Sequence, residues 1–222
     1  WALFLIIGAL FIYGHSLLPV GTLKGIGYVV YGAAASIAFS LGVKRGRLRT
    51  FSPWHILATG IIINTLADAL WYYCRFRQIE VPYPSLMDGI YLTGYVVRSL
   101  SLHAMNQART RHLDWSGWID TLIIGCGCGL LSWIYLMEPY VDNLSMTWLE
   151  RTVSISYPLM DVLMLAVLAR LWFTPGKRPP AYYLLSSGLS LWMIADTIYA
   201  KAILEGRYYN GHLLDAAWLL SN

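Results

Sequence analysis

Long apolar blocks, rather than stripes, limit what this chain can fold into. They fall at roughly 1–18, 25–43, 54–73, 85–105, 117–136, 155–172 and 181–200, and an eighth begins at 213. Blocks of about 17–25 residues are long enough to cross a bilayer core as helices. Backbone polar groups cannot face lipid unpaired, and a helix satisfies them internally. A membrane barrel would instead alternate apolar and polar residues along short strands. The composition agrees: 57% of the 222 residues are hydrophobic and 13% are charged, against about 25% charged in a soluble domain. The fold expected is an all-α, polytopic membrane bundle of about eight transmembrane helices.

The chain reads as one membrane domain of four helix hairpins, at 1–52, 53–105, 117–172 and 180–222. Residues 1–18 lack a basic segment and a small-residue cleavage site, so they read as a helix and not as a leader. The last block has too few residues to span a membrane, so the eighth helix is expected to be truncated and to continue into something further. The loops alternate in charge. One set holds KRGRLR (44–49), NQARTRHLDW (106–115) and TPGKRPP (174–180). With Arg98 and Arg170, assigned to helix ends, this side carries ten of the sixteen basic residues and only two of the twelve acids. By the positive-inside rule that side is cytoplasmic, and both termini face it. Trp and Tyr gather at block ends, as interfacial anchors do.

Three cysteines make no disulfide framework. Cys126 and Cys128 lie in an apolar block with their thiols pointing apart, and Cys74 is expected in a loop, so neither a metal pair nor a disulfide is expected. No histidine pair has metal-ligand spacing. His15 and His103 belong at different depths, which argues against a shared haem iron. No cofactor, metal site or catalytic residue is expected. No P-loop, G-x-S-x-G or H-E-x-x-H motif is present. The basic loops are short and read as orientation signals, so nucleic acid is not an expected partner.

One phrase occurs twice, YPSLMD at 83–88 and YPLMD at 157–161, with a looser HLLD at 212–215. It belongs to a longer repeat. Gly60 precedes Asp68 by eight residues, as Gly188 precedes Asp196. A second acid follows each, Asp88 and Asp215, with an aromatic three positions later, Tyr91 and Trp218. The stretch from GLLSWIY (129–135) through YPLMDVLML (157–165) is a degenerate third copy, with Ser132 in place of the first acid. Consecutive hairpins keep one orientation, so the copies are parallel repeats. Asp68 and Asp196 then lie near the outer ends of ascending helices. Asp88, Asp161 and Asp215 lie just inside the outer ends of descending ones. All five converge on one depth.

Capping accounts for part of this layer. Ser85-x-x-Asp88 is a capping-box pattern. Pro158 suits a first helical position, which would place Asp161 in a first turn and extend the same reading to the second phrase. Capping does not account for Asp68 and Asp196, whose charges near helix C-termini oppose the dipole. Such a carboxylate must pair, protonate or meet water. Tyr72 and Tyr199, one turn further along the same helices, are candidate partners. A structural clasp, a ligand or cation site and a proton relay remain open. The candidate ligand-binding or signal-sensing residues are Asp68, Tyr72, Asp88, Tyr91, Asp161, Asp196, Tyr199, His212 and Asp215.

The ordered motifs AD-x-x-W-Y, YP-x-x-x-D-x-x-Y-x-x-GY, D-x-L at 120–122, LLSW, SI-x-YPL-x-D, AD-x-x-Y and LLDAAWLLS resemble the N-terminal multi-helix membrane input region of bacterial GGDEF/EAL proteins, which make or degrade cyclic di-GMP. The resemblance covers about 53–222. It rests on Asp68, Tyr72, Tyr83, Pro84, Asp88, Asp120, Tyr157, Pro158, Asp161, Asp196 and Asp215 as motif positions. It implies a sensory domain in the bacterial plasma membrane that perceives an unknown small ligand or ion at the outer face. That domain would control a C-terminal cytoplasmic output domain absent from this sequence, with any nucleotide chemistry lying there. It also implies a homodimer, for which Gly32, Ser36 and Ser40 form a candidate small-residue face beside their alternative role in packing within one bundle. The rival expectation is a small transporter or channel that uses the acids as a cation or proton site.

Overall fold

The computed structural model describes residues 2–19, 21–46, 52–109, 115–174, 176, 178–208 and 214–221, with side chains from Ile6 onward. Among these residues the structure is helical and has no strand. In chain order the helices are α1 (Ala2–Leu17), α2 (Thr22–Arg45), α3 (Pro53–Phe76), α4 (Leu86–Arg109), α5 (Trp115–Ser132), α6 (Glu138–Val141), α7 (Trp148–Phe173), α8 (Pro180–Leu204) and α9 (Leu214–Ser221). A π-helical turn over Trp133–Met137 joins α5 to α6, making one rod from Trp115 to Val141. Among the described residues the bundle thus has eight rods.

Four rods are long and apolar enough to cross a membrane: α2, α3, the α5–α6 rod and α7. They point to a membrane-embedded protein. Helices α4 and α8 have comparable length, 24 and 25 residues, but a more polar composition. α4 carries Asp88, Arg98, His103, Asn106, Gln107 and Arg109. The eight spans expected from the sequence therefore reduce to four by length and apolarity.

Neighbouring helices close a ring. α1, α2, α3, α4, α7, α8 and α9 each touch the next, and α9 returns to α1. The α5–α6 rod stands outside this ring against α7, with only 11% of its most apolar window buried. The main core fills the ring with Leu57 of α3, Tyr95, Leu102 and Met105 of α4, Met164, Leu168 and Leu171 of α7, and Tyr182, Leu189 and Met193 of α8. A smaller core of Ile12, Tyr28 and Leu219 ties α1 and α2 to α9.

The repeat has a structural counterpart in detail. α3 ends in a turn in which Gln78 N–H donates to Arg75 and Ile79 N–H to Cys74, with Gln78 at φ 55°. α8 ends identically, Gly206 N–H donating to Ile203 and Arg207 N–H to Ala202, with Gly206 at φ 64°. Each is a Schellman turn, ten residues after Asp68 and Asp196 respectively. The glycines eight residues before those acids mark close approaches within each hairpin. A Cβ on Gly60 would lie 3.4 Å from the Gly94 carbonyl oxygen and 2.7 Å from Cγ of Arg98. A Cβ on Gly188 would lie 2.8 Å from the Ser221 carbonyl oxygen. Gly94 and Ser221 hold the same place relative to Asp88 and Asp215.

The middle hairpin departs from the expectation. α7 begins at Trp148, where Thr147 and Glu150 form a complete capping box, Thr147 N–H donating to Glu150 Oε2 at 2.6 Å and Glu150 N–H to Thr147 Oγ1 at 3.3 Å. Pro158 therefore lies inside the helix and not at its first position. A genuine cap upstream outcompetes the proline signal. The two YP phrases differ accordingly: Tyr83–Pro84 is a cis peptide in the loop before α4, and Tyr157–Pro158 is helical. Cys74, expected in a loop, is in the last turns of α3, and all three cysteines are free. The small residues of α2 face α3. Ser36 Oγ and Thr65 Oγ1 share a hydrogen bond of 2.8 Å, and a Cβ on Gly32 would meet Thr65 at 3.5 Å. Gly32 and Ser36 of that stripe thus pack within the chain.

Candidate functional site

At the end of the bundle where α3 gives way to α4 and α8 to α9, the ring opens into a cavity of about 790 Å³. Its walls come from α2, α3, α4, α7, α8, α9 and the far end of the α5–α6 rod. Asp68, Asp88, Asp161, Asp196 and Asp215 all line it, and so do Tyr72, Tyr91 and Tyr199. His212 lies outside the described residues. The helical ends carrying the repeated motif thus share one chamber. The middle hairpin reaches past the acids and contributes Leu136, Tyr140, Asn143 and Met146 to the wall.

The two acids near helix C-termini are held from neighbouring helices. Tyr91 of α4 donates its phenol to Asp68 Oδ1 at 2.7 Å. Trp218 of α9 donates its indole N–H to Asp196 Oδ1 at 2.6 Å. Asp196 Oδ2 also accepts from the Tyr95 phenol, whose oxygen in turn accepts the Trp192 indole N–H at 3.0 Å. Tyr72 and Tyr199, the same-helix candidates, are engaged elsewhere. The Tyr72 ring lies over Gly25 of α2, where a Cβ would come within 2.6 Å of it, and its centroid is 5.4 Å from that of Tyr28. Tyr199 packs edge-on against Tyr208 at 4.7 Å and Trp218 at 5.4 Å.

Asp88 caps as its pattern indicates. Its Oδ2 accepts from the Ser85 N–H at 2.7 Å and from the Ser85 hydroxyl at 2.8 Å. Its Oδ1 accepts from Tyr157 of α7 at 2.8 Å, so the cap also ties α4 to α7. Nearby, Tyr83 and Ser154 share a hydrogen bond of 2.7 Å. Burial raises the Tyr83 phenol above its usual range and the Asp88 and Glu150 charges add to this, against the Ser154 bond. Tyr83 therefore presents a neutral hydroxyl. Asp161 is not a first-turn acid, because α7 starts so much earlier. It stands well inside the helix beside Tyr95, and its Oδ1 is shielded from solvent with no hydrogen-bond partner. Asp215 is buried in the first turn of α9.

Arg98 was not legible as a site residue. Placed at a helix end by the loop-charge reading, it lies in the middle of α4 and is 2% exposed. Its side chain points back toward the N-terminus of α4, as helical side chains do, and so toward the acid end. Gly60 leaves room for its stem. The guanidinium lies 3.9 Å from the ring centroid of Trp192, and none of its three nitrogens has a hydrogen-bond partner. Cation–π attraction in a desolvated setting is worth about 2 kcal/mol. Arg98 also interacts through space with Asp196 and Asp68. It is a fixed positive charge set behind the acid-lined wall.

Three other polar residues in the blocks make contacts within the bundle. His15 is buried, with Nε2 2.9 Å from the Lys24 carbonyl, which joins α1 to the start of α2. His103 pairs with Gln107 one turn on, at 2.8 Å. Arg170 is half of a contact with Trp118, its guanidinium carbon 4.0 Å from the ring centroid. Among the described residues no three His, Cys, Asp or Glu side chains are grouped to hold a metal ion.

The chamber therefore combines carboxylates, phenol and indole donors and aromatic faces. Such a lining offers both charge and aromatic faces to the space it encloses. The chain matches no known family model, no curated protein and no solved structure.

Proposed function

We propose that this chain is the membrane sensory domain of a bacterial signalling protein, with the acid-lined chamber at the outer membrane face and both termini in the cytoplasm. On this reading it lies in the plasma membrane as a multi-pass bundle and functions as a homodimer. The observation that carries the reading is the place of α9. This helix supplies Asp215 and Trp218 to the chamber wall, and Trp218 bonds directly to Asp196. A guest that competes for Asp196 acts on α9 itself, without an intervening element. Regulation requires a guest to bind two arrangements differently, and exchange of the Trp218–Asp196 bond for a guest–Asp196 bond is such a difference. The motif order resembling GGDEF/EAL input regions supports an output that makes or degrades cyclic di-GMP.

A cation transporter or channel is the other reading of intramembrane acids. Arg98 weighs against it, because a permanent cation behind the acids repels a positive ion moving inward. Asn64 and Ser186, two of the few polar residues on the helices between the acids and the opposite end of the bundle, are buried.

The native reading frame beyond Asn222 tests the proposal. A GGDEF or EAL domain following α9 is the expected result. A stop shortly after α9 overturns the output. In the full-length protein, Trp218→Phe is expected to change cellular cyclic di-GMP at equal protein level, and unchanged control overturns the role of α9.

A further inference from the structure

We infer that the chamber takes an organic amine, a cation bearing N–H on an apolar body, rather than a metal ion or an anion. This rests on reading the chamber as a ligand site. Three independent observations lead to it.

The first is Asp161 Oδ1. It belongs to a wall residue and has no donor within hydrogen-bond distance, the Tyr95 phenol standing beside the carboxyl. Buried acceptors are normally paired, so a donor from a guest completes this one. The neighbouring carboxylates hold donors from the protein already: Asp68 from Tyr91, Asp88 from Ser85 and Tyr157, and Asp196 from Tyr95 and Trp218. Asp161 is where an incoming N–H gains most.

The second is charge. Five aspartates line the chamber against Lys24 and Arg75. Even with Arg98 behind the wall, acidic groups outnumber basic ones five to three, so an anion is disfavoured.

The third is shape and surface. A chamber of about 790 Å³ far exceeds a metal ion, and the described acids do not gather into a metal-binding group. Tyr28, Tyr72, Tyr157, Trp192 and Trp218 instead bring aromatic rings to the lining. Aromatic faces attract ammonium groups and the apolar carbon beside them. Trp192 already shows this chemistry with Arg98. The unpartnered acceptor on Asp161 selects a primary or secondary ammonium over a quaternary one, which has no N–H to give.

The test is titration calorimetry on the purified chain in lipid nanodiscs, with phenethylamine, putrescine, tetramethylammonium, MgCl2 and sodium benzoate as probes. Saturable binding of phenethylamine or putrescine is expected, at least ten-fold tighter than tetramethylammonium. Asp161→Asn is expected to weaken that binding ten-fold or more. Asp120→Asn, on the exposed surface of α5, leaves it unchanged. Equal affinity for tetramethylammonium, saturable binding of Mg²⁺ or benzoate alone, unaltered affinity in Asp161→Asn, or no saturation with either amine overturns the inference. The wild-type probe series decides the matter even if Asp161→Asn fails to fold. Amine binding in a protein whose frame ends after α9 removes the sensory reading and leaves this inference standing. A GGDEF or EAL frame without amine binding does the reverse.

Discussion

Tyr91 donates to Asp68 at 2.7 Å across the α3–α4 hairpin, and the α8–α9 hairpin repeats the relationship with an indole, Trp218 to Asp196 at 2.6 Å. In both, the donor stands three residues after the second acid of its unit. A carboxylate half-buried between helices has lost part of its hydration, so a donor supplied by the partner helix both satisfies it and fixes the hairpin. A hydrogen bond to a charged group contributes about 1.5–3 kcal/mol. Tyr91→Phe and Trp218→Phe are each expected to lower stability by about that amount. Adding Asp68→Asn to Tyr91→Phe should recover part of the loss. Thermal unfolding in nanodiscs checks both, and additive losses in the Asp68–Tyr91 pair would refute the bond.

Glycines at the two hairpin crossings make a sharper test of the packing. A methyl group at Gly188 meets the Ser221 carbonyl oxygen at 2.8 Å, a backbone atom that can yield only if α9 moves. Gly188→Ala is therefore expected to displace α9, weaken the Trp218–Asp196 bond and cost about 1–3 kcal/mol, as overpacking does. Gly14 of α1 has nothing within 4 Å of its would-be Cβ, so Gly14→Ala should be neutral or slightly stabilising, since alanine is the better helix former. Melting temperature and tryptophan emission of the two variants, compared side by side, separate these outcomes.

Much of the scaffold was legible because membrane helices announce themselves by block length, and because repeated spacing from glycine to acid encodes repeated geometry. Gly60 and Gly188 were visible as positions eight before an acid, and the helix crossings they permit explain why. The middle hairpin was misread because Tyr-Pro resembles a helix start, whereas Thr147-x-x-Glu150, ten residues upstream, supplies the real cap. Arg98 was misread because loop-charge counting assigns every cation to a membrane surface. A mid-block arginine whose charge rests on an indole has no signature in one sequence. The cross-helix donors were equally hidden in part. Tyr91 and Trp218 were noticed by spacing, but which oxygen each reaches depends on helix rotation that spacing alone leaves open.

The two Schellman turns predict opposite responses at equivalent positions. Gln78 adopts φ 55° and Gly206 φ 64°. The left-handed region costs a residue with a Cβ about 1 kcal/mol and costs glycine almost nothing. Gln78→Gly is expected to stabilise the protein by up to about 1 kcal/mol, and Gly206→Ala to destabilise it by a similar amount. Denaturant titration of each variant measures both signs. A stabilised Gly206→Ala would mean that the α8 turn relaxes out of this conformation in the membrane.

Arg98 carries the most consequential prediction, because its charge has no hydrogen-bonded partner and yet lies buried behind an acidic wall. Two effects hold it: the face of Trp192 at 3.9 Å and the through-space field of Asp68 and Asp196. If the field matters, loss of the cation should harm the protein more when the acids are present than when one is removed. Arg98→Gln alone is expected to cost roughly 2–4 kcal/mol, combining the lost cation–π contact with acids left uncompensated. In an Asp196→Asn background the same change should cost less, with a coupling of about 0.5–3 kcal/mol, as for interacting neighbours in a double-mutant cycle. Trp192→Leu should lower stability in the wild type and much less in Arg98→Gln, which isolates the aromatic contact from the electrostatic one. Strict additivity in the Arg98–Asp196 cycle would show that Arg98 serves packing alone, and the chamber would then carry its full negative charge without a counterion behind it.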